Sequence, residues 1–356
     1  MAEPVQIAIV GNAFAQKLHL PALRWAGNNR VVGLCGKDPA KARATADRWD
    51  IPFATGRWEE LLERDCDLVV IATPVHLHHA IAKAALERGR AVLLEKPMAL
   101  DVDQAQELAE LARGRPAWID HQLRFSPWRR ALRAELLRGA IGEVWHADFE
   151  LTFGSPQWLQ RPYGWWFDAA RGGGALGALG SHMIDCVQRE LGPVREVRAE
   201  LRTFVGRRPD EEGAERACTA DELASVWMRM QSGASVNLST SVLVPGGHGF
   251  HLLYTGSEGS LRLDGENELW HARHGEEFQR LEVEDDRPTP NELGIQDHGP
   301  FARALPLFLR EVVGAVSAGR TTIEGAASFE DGLAVQRVLD AARASARGGS
   351  WISCQP

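Results

Sequence analysis

Over the first third of the chain, short apolar runs alternate with stretches whose apolar positions recur at helical spacing. Val5–Val10 is a run that stops at Gly11 and predicts a buried parallel strand, with a helix from Ala15 to Trp25 behind it. Val31–Leu34 predicts a second strand. Asp38 and Pro39 then supply an N-cap and a first-turn proline for a helix reaching Trp49. Leu68–Ala72 predicts a third strand, stopped by Thr73-Pro74 and followed by a helix over His78–Arg88. Ala91–Leu94 predicts a fourth, and Asp101 with Gln104 opens the next helix, to Arg113, as a capping box does. Repeated strand–helix units of this kind predict a doubly wound parallel sheet, an architecture that binds nucleotides.

Near Trp118 the pattern changes. A helix over Pro127–Arg138 precedes a longer strand, Glu143–Phe153. Beyond the glycine-rich Gly172–Leu191 region, which turns helical, strand-like runs recur at Val197–Val205, Ala224–Met230, Ala234–Leu243, Phe250–Tyr254 and Ser260–Leu263. Short turns such as Gln231-Ser232-Gly233 join them, so a largely antiparallel sheet is expected. Two helices, Pro300–Ala318 and Ser328–Ala346, end the chain. The fold expected is α/β: a doubly wound parallel sheet over residues 1–118, then an α+β domain with an open, largely antiparallel sheet over residues 119–356.

Composition removes several function classes. A net charge of −8 without a dense basic block argues against nucleic acid or anionic membrane surfaces as partners. No apolar stretch is long enough to span a bilayer, and the Met-Ala-Glu-Pro start lacks a signal pattern, so a cytoplasmic protein is expected. Cys35, Cys66, Cys186, Cys218 and Cys354 are scattered without CxxC spacing, which suggests neither a disulfide framework nor a zinc site. His76, His78 and His79 crowd together but lack an acidic or thiol partner nearby in sequence, so no metal site is expected.

A strand running into Gly11 and opening a helix is the right context for a dinucleotide fingerprint, although Gly11-Asn12-Ala13-Phe14-Ala15-Gln16 keeps only the first glycine of G-x-G-x-x-G. The second strand ends Leu34-Cys35-Gly36-Lys37. NAD enzymes place an acidic residue there for the ribose 2′-hydroxyl. Here Gly36 removes that carboxylate and Lys37 offers charge to a 2′-phosphate, so NADP is favoured over NAD. Thr73 and Pro74, after strand three, fall along the nicotinamide side of the crevice, and His78 on a helix start or the substrate-side wall.

Glu95-Lys96-Pro97 follows the fourth strand. A lysine at the end of a buried parallel strand is expensive, because its ammonium must leave water. Such strand ends are where open α/β sheets bind ligands. A lysine held there between a carboxylate and a proline can polarise a substrate hydroxyl or move its proton. Further on, Tyr163, Trp165 and Trp166 offer aromatic faces that stack on sugar C–H faces, or equally well a core contact.

The segments Leu68–His78, Val92-Leu-Leu-Glu-Lys-Pro-Met-Ala-Leu100, Gly172–Asp185 and Glu330–Leu339 together closely resemble the glucose–fructose oxidoreductase/inositol dehydrogenase (Gfo/Idh/MocA) family, in order and across almost the whole chain. The resemblance implies hydride exchange between a nicotinamide and a carbinol carbon of a sugar, a cyclitol or a similar small molecule. It implies assembly into a homodimer or homotetramer through the C-terminal sheet. Carried over, the family's catalytic lysine is Lys96 and its histidine is His182, while its aspartate position holds Ala178; Asp185, one helical turn past His182, could orient that ring instead. The resemblance also puts Asp120, His121 and Arg124 near the nicotinamide, where Asp120 and His121 could supply the missing carboxylate function. Two rival readings are a non-catalytic nucleotide sensor, which the degraded glycine loop and Ala178 suit, and a glycoside-cleaving enzyme that uses its nicotinamide only transiently.

Overall fold

The computed structural model describes residues 3–154, 156–247, 249–295 and 300–355. They group into two compact units, one of Met1–Ala99, Asp103–Ser126 and Asp286–Leu333, the other of Leu100–Val102, Pro127–Asp285 and Ala334–Pro356. The sequence pattern divides the chain at 118/119, whereas by packing residues 119–126 and 286–333 group with the first unit and 100–102 with the second.

In the first unit, six parallel strands are β1 (Val5–Val10), β2 (Asn29–Cys35), β3 (Phe53–Thr55), β4 (Leu68–Ile71), β5 (Ala91–Leu94) and β6 (Ala117–Ile119). Their order is β3-β2-β1-β4-β5-β6, with the two-residue strand Ala327–Ser328 pairing antiparallel on the β6 edge. β4 and β5 are buried at every position, which is why they read as unbroken apolar runs. β3 and the five-residue helix Trp58–Leu62 are too short for periodicity to reveal, and they add an unforeseen edge. Asp38 caps its helix as expected, its carboxylate accepting from the N–H groups of Ala40 and Lys41.

Behind β1 the chain does not form one regular helix. Asn12–Phe14 is α-helical, Ala15–His19 widens into a π-turn, and Leu20–Ala26 resumes the α-helix. Pro21 lies just past the widened turn; a proline in a helix withholds an N–H and crowds the preceding turn, one of the recognised causes of such distortions. The helix Pro300–Ser317 lays Leu305, Phe308 and Val312 into the same apolar cluster as Ile7, Ile9, Leu23 and Trp118. Within it Phe125 stacks on Phe308 with ring centroids 4.8 Å apart.

The second unit is built on a nine-stranded sheet. Its long strands are β7 (Val144–Thr152), β8 (Val194–Arg202), β9 (Leu223–Met230), β10 (Ser235–Ser241), β11 (Gly249–Gly256), β12 (Gly259–Asp264) and β13 (Glu268–Arg273). The order β13-β12-β11-β7-β10-β9-β8 continues to short edge strands at Gln279–Leu281 and Ile352–Ser353. Every pair is antiparallel except β7 with β10. Side chains alternate: Phe250, Leu252 and Tyr254 of β11 are buried while their neighbours are half-exposed. The other face keeps Trp227 of β9 43% exposed, and Trp145 near the start of β7 is 52% exposed.

Candidate functional site

In the first unit the strand order reverses between β1 and β4, and the carboxyl ends around this switch point are where ligands bind in open α/β sheets. Gly11 ends β1 with φ 120°, and a Cβ there would stand 2.1 Å from the Ala72 carbonyl oxygen. Only glycine fits, so the first glycine of the fingerprint has a backbone reason. Asn12, Ala13 and Phe14 form the short helical turn that follows. The buried Asn12 Oδ1 and Thr73 Oγ1, one on each side of the switch point, have no hydrogen-bond partner in the protein. A glycine cradle and two orphaned polar atoms suit the close approach of a dinucleotide.

At the end of β2, Gly36 donates its N–H to Thr55 O at 3.1 Å, and a Cβ on it would meet Asn12 Cβ at 2.8 Å. Lys37 is exposed beside it. The Asp38 carboxylate is taken up by its helix cap, while Glu60 accepts from the Thr55 hydroxyl at 2.6 Å and, with Glu59, adds to the burial that pushes the Cys35 thiol up.

His78 and His79 turn to different partners. The buried ring of His78 sits between two carbonyls, Nδ1 2.9 Å from Pro97 O and Nε2 2.8 Å from Thr73 O. Burial pushes its pKa down to about 4, against the pull of both carbonyls. His79 instead pairs with Glu107, 2.7 Å away, which also accepts from Lys83 Nζ. Its acidic partner comes from a different helix, which local sequence could not show. His78 thereby lies between Thr73-Pro74 and Pro97, beside the end of β4.

Glu95 follows β5, donating its N–H to Ile71 O, and Asp120 follows β6, donating to Leu94 O. Neighbouring strand ends therefore bring Glu95, Lys96, Asp120 and His121 together. Glu95 is 7% exposed and Asp120 fully buried, while Lys96 is half-buried. Burial raises the Glu95 pKa to about 7, with Asp120 adding to it and Lys96 and His19 opposing. Burial lowers the Lys96 pKa, against the attraction of Glu95 and Asp120.

His19 is the participant that sequence reasoning missed. It ends the π-turn, and its Nε2 lies 3.3 Å from Asp120 Oδ2 and 3.5 Å from Glu95 Oε1. Burial works against a charged ring there, but Asp120 and Glu95 outweigh it and the His19 pKa is raised. Phe14 meets the ring edge-on, centroids 5.6 Å apart. The sequence signal was available: a lone histidine directly before Leu20-Pro21, where helix geometry had to be disturbed.

Arg124, which the resemblance puts near the nicotinamide, has ion-pair and carbonyl partners within the first unit. Its guanidinium lies 3.2 Å from Asp331 and donates to Ala326 O at 3.3 Å. Within that unit it ties the Gln122–Phe125 turn to residues 326–331.

In the second unit, Tyr163, Trp165 and Trp166 join Phe153, Trp158 and Phe167 in one aromatic cluster. Trp166 is a core residue, its ring 4.9 Å from Trp158 and 5.3 Å from Phe167. Tyr163 and Trp165 are half-buried at its margin. Arg208 fixes this loop by donating to the carbonyls of Trp158, Leu159 and Arg161 and to Glu222 at 2.7 Å. His182 and Asp185 are both buried on the helix Ser181–Leu191, which a π-turn at Leu176–Gly180 leads into. Ala178 packs against the aromatic cluster. A methyl group suits that neighbourhood, and a carboxylate would be desolvated against indole rings.

Residues 5–119 match the family model described as the oxidoreductase family with NAD-binding Rossmann fold, and residues 129–262 match the GFO/IDH/MocA C-terminal domain. The glucose-fructose oxidoreductase domain-containing protein 2 of Xenopus laevis is 30% identical over 98% of this chain and 93% of its own. An NAD binding oxidoreductase from Klebsiella pneumoniae superposes with a TM-score of 0.85 at 28% identity, covering 99% of this chain and 100% of the other. Levoglucosan dehydrogenase in complex with NADH and L-sorbose shares the fold at a TM-score of 0.87 and 22% identity, over 99% of both chains.

Proposed function

Because this chain belongs to the Gfo/Idh/MocA family of oxidoreductases, we propose that it moves a hydride between NADP and a CH–OH carbon of a sugar or a similar polyhydroxylated small molecule. The observation that carries this reading is Lys96, a half-buried lysine beside a buried carboxylate at the carboxyl end of β5, two strands from the Gly11 cradle. The nicotinamide, when bound, supplies the hydride chemistry. Asn12, Ala13, Phe14, Thr73 and Pro74 line its approach, Lys96 polarises the substrate oxygen and moves its proton, and His182 with Asp185 assists.

The preference for the phosphorylated cofactor rests on Lys37 and on Asp38, whose carboxylate is engaged in capping and is not offered to a ribose diol. NADH, the cofactor of the levoglucosan dehydrogenase complex, is the competitor. That complex also motivates a sugar substrate, for which Tyr163 and Trp165 provide stacking faces and His121 a polar contact. Trp227, exposed on the open sheet face, supports a homodimer or homotetramer formed through that sheet. Five buried, unpaired thiols suit a reducing cytoplasm, and among the described residues no helix is long and apolar enough to cross a membrane.

The test follows nicotinamide absorbance with a panel of aldoses, ketoses, anhydrosugars and cyclitols. Turnover with NADPH at a kcat/KM about tenfold above NADH or better is the expected result. Tight NADP binding without turnover on any of them would establish a sensor instead. Product formation without net nicotinamide change would establish a transient-redox lyase.

A further inference from the structure

His19, Glu95 and Asp120 arrive from three places, the end of a π-turn and the ends of two neighbouring strands, and converge beside Lys96. Their side chains are 0%, 8% and 0% exposed. Among the described residues, both His19 nitrogens, Glu95 Oε1 and both Asp120 carboxylate oxygens have no partner in good hydrogen-bond geometry, although His19 Nε2 faces Asp120 Oδ2 at 3.3 Å and Glu95 Oε1 at 3.5 Å. Buried polar atoms are otherwise almost always paired, and exceptions of this kind accompany redox or catalytic roles. Stability gives no reason for the arrangement, since well-packed apolar residues in place of buried charges are commonly as stable or more so.

We infer that His19, Glu95 and Asp120 form one proton-holding unit that acts through Lys96. The inference rests on the dehydrogenase reading above and deepens it. In alcohol oxidation the substrate O–H bond breaks as an N–H bond forms on Lys96, and Lys96 releases one proton into the unit. The electron pair of the carbinol C–H bond leaves with the hydride to the nicotinamide, so the substrate loses one proton and one hydride. Carbonyl reduction runs the same transfers backwards. Lys96 is the catalytic residue; the other three are positioning residues that hold or return its proton.

Two observations strengthen the assignment. Glu95 titrates at about 7 and the His19 ring is raised, so the unit can change protonation near neutral pH. The other titratable groups facing it are Lys96 and, through Lys96, His78 and His76. At the position where the resemblance puts an aspartate, this chain has Ala178, packed against aromatic rings. Three such ligands would also suit a divalent cation, but the lysine beside them already brings the positive charge they attract.

The chain has only five lysines, Lys17, Lys37, Lys41, Lys83 and Lys96, so lysine 13Cε NMR of the full-length protein resolves Lys96, with Lys96→Arg for assignment. Asp120→Asn and Glu95→Gln should each lower the Lys96 titration midpoint, because each removes an anion that favours the ammonium. The expected shift is about tenfold in the acid constant. The wild-type Lys96 signal is expected to show a second inflection where the unit titrates, and His19→Gln should remove it. A merely structural role predicts folded variants whose Lys96 midpoint does not move, and that result overturns the inference. Should Asp120→Asn fail to fold, Glu95→Gln carries the test. Stoichiometric transition metal in the purified protein, lost in Glu95→Gln, would overturn it as well. Coupled titration without turnover on any sugar would uphold the unit while sinking the dehydrogenase reading.

Discussion

His78 reaches back to the carbonyl of Pro97, 2.9 Å from its Nδ1, while its Nε2 meets Thr73 O at 2.8 Å. One neutral ring has one N–H for two acceptors, and burial keeps it neutral by lowering its pKa to about 4. A neutral ring therefore donates to one of these carbonyls, and its other nitrogen faces an oxygen that has no proton to give it.

A pH dependence follows from that arrangement. In the unfolded chain a histidine titrates near 6.5, so between about pH 6.5 and 4 the unfolded state binds a proton that the folded state refuses. The stabilisation is complete above the unfolded value and is lost as pH falls towards the folded one. Thermal unfolding followed by circular dichroism should show Tm dropping through that window, and His78→Gln should flatten the drop. An identical pH profile in the variant would remove His78 from the account.

Lys96→Met should reduce kcat by about a thousandfold, within the range for losing a positioned proton donor, and leave NADP binding nearly intact. Rapid-quench turnover and isothermal titration calorimetry separate the two quantities. Unchanged turnover would sink the assignment of Lys96.

Lys37→Ala should weaken NADPH binding by about tenfold, a loss of about 1.4 kcal/mol, with NADH little affected. A carboxylate introduced at Gly36 is the poorer test, because a Cβ there would press on Asn12. Equal loss for both cofactors would show that Lys37 does not read the 2′-phosphate.

Arg208 and Glu222 are each 1% exposed, 2.7 Å apart, and the arginine also holds the Trp158–Arg161 carbonyls. Arg208→Met leaves Glu222 buried without its partner and should destabilise the fold by about 3–5 kcal/mol. At a temperature where the variant remains folded, KM for the sugar should rise while cofactor binding stays constant. Urea unfolding and steady-state kinetics check the two effects separately.

Trp227→Glu places a charge on the open sheet face and should shift light scattering towards the monomer at unchanged Tm. A wild-type chain that is already monomeric would refute assembly through that face.

Much of this molecule was legible in its sequence. Val5–Val10 and Ala91–Leu94 are strands at the predicted residues, because fully buried parallel strands leave unbroken apolar runs. Asp38-Pro39 announced its helix because capping is local. What escaped was non-local. His19 looks like any helical histidine until the ends of β5 and β6 bring carboxylates to it. The ion pair of Arg124 was hidden because its partner, Asp331, lies far along the chain. The destination of Pro300–Ser317 was hidden for the same reason, since an amphipathic helix shows that it has an apolar face and not which core receives it.

That helix sets the order in which the protein can be made. Leu305, Phe308 and Val312 complete the core around Ile7, Ile9 and Leu23, yet a ribosome delivers them only after the whole intervening sheet has been synthesised. The amino-terminal third therefore emerges as a half-built module with an open flank, and long-range closures of this kind slow folding. A fragment ending near residue 126 should be sticky and poorly folded rather than a free-standing nucleotide binder. In this chain the first part begun is among the last to be finished.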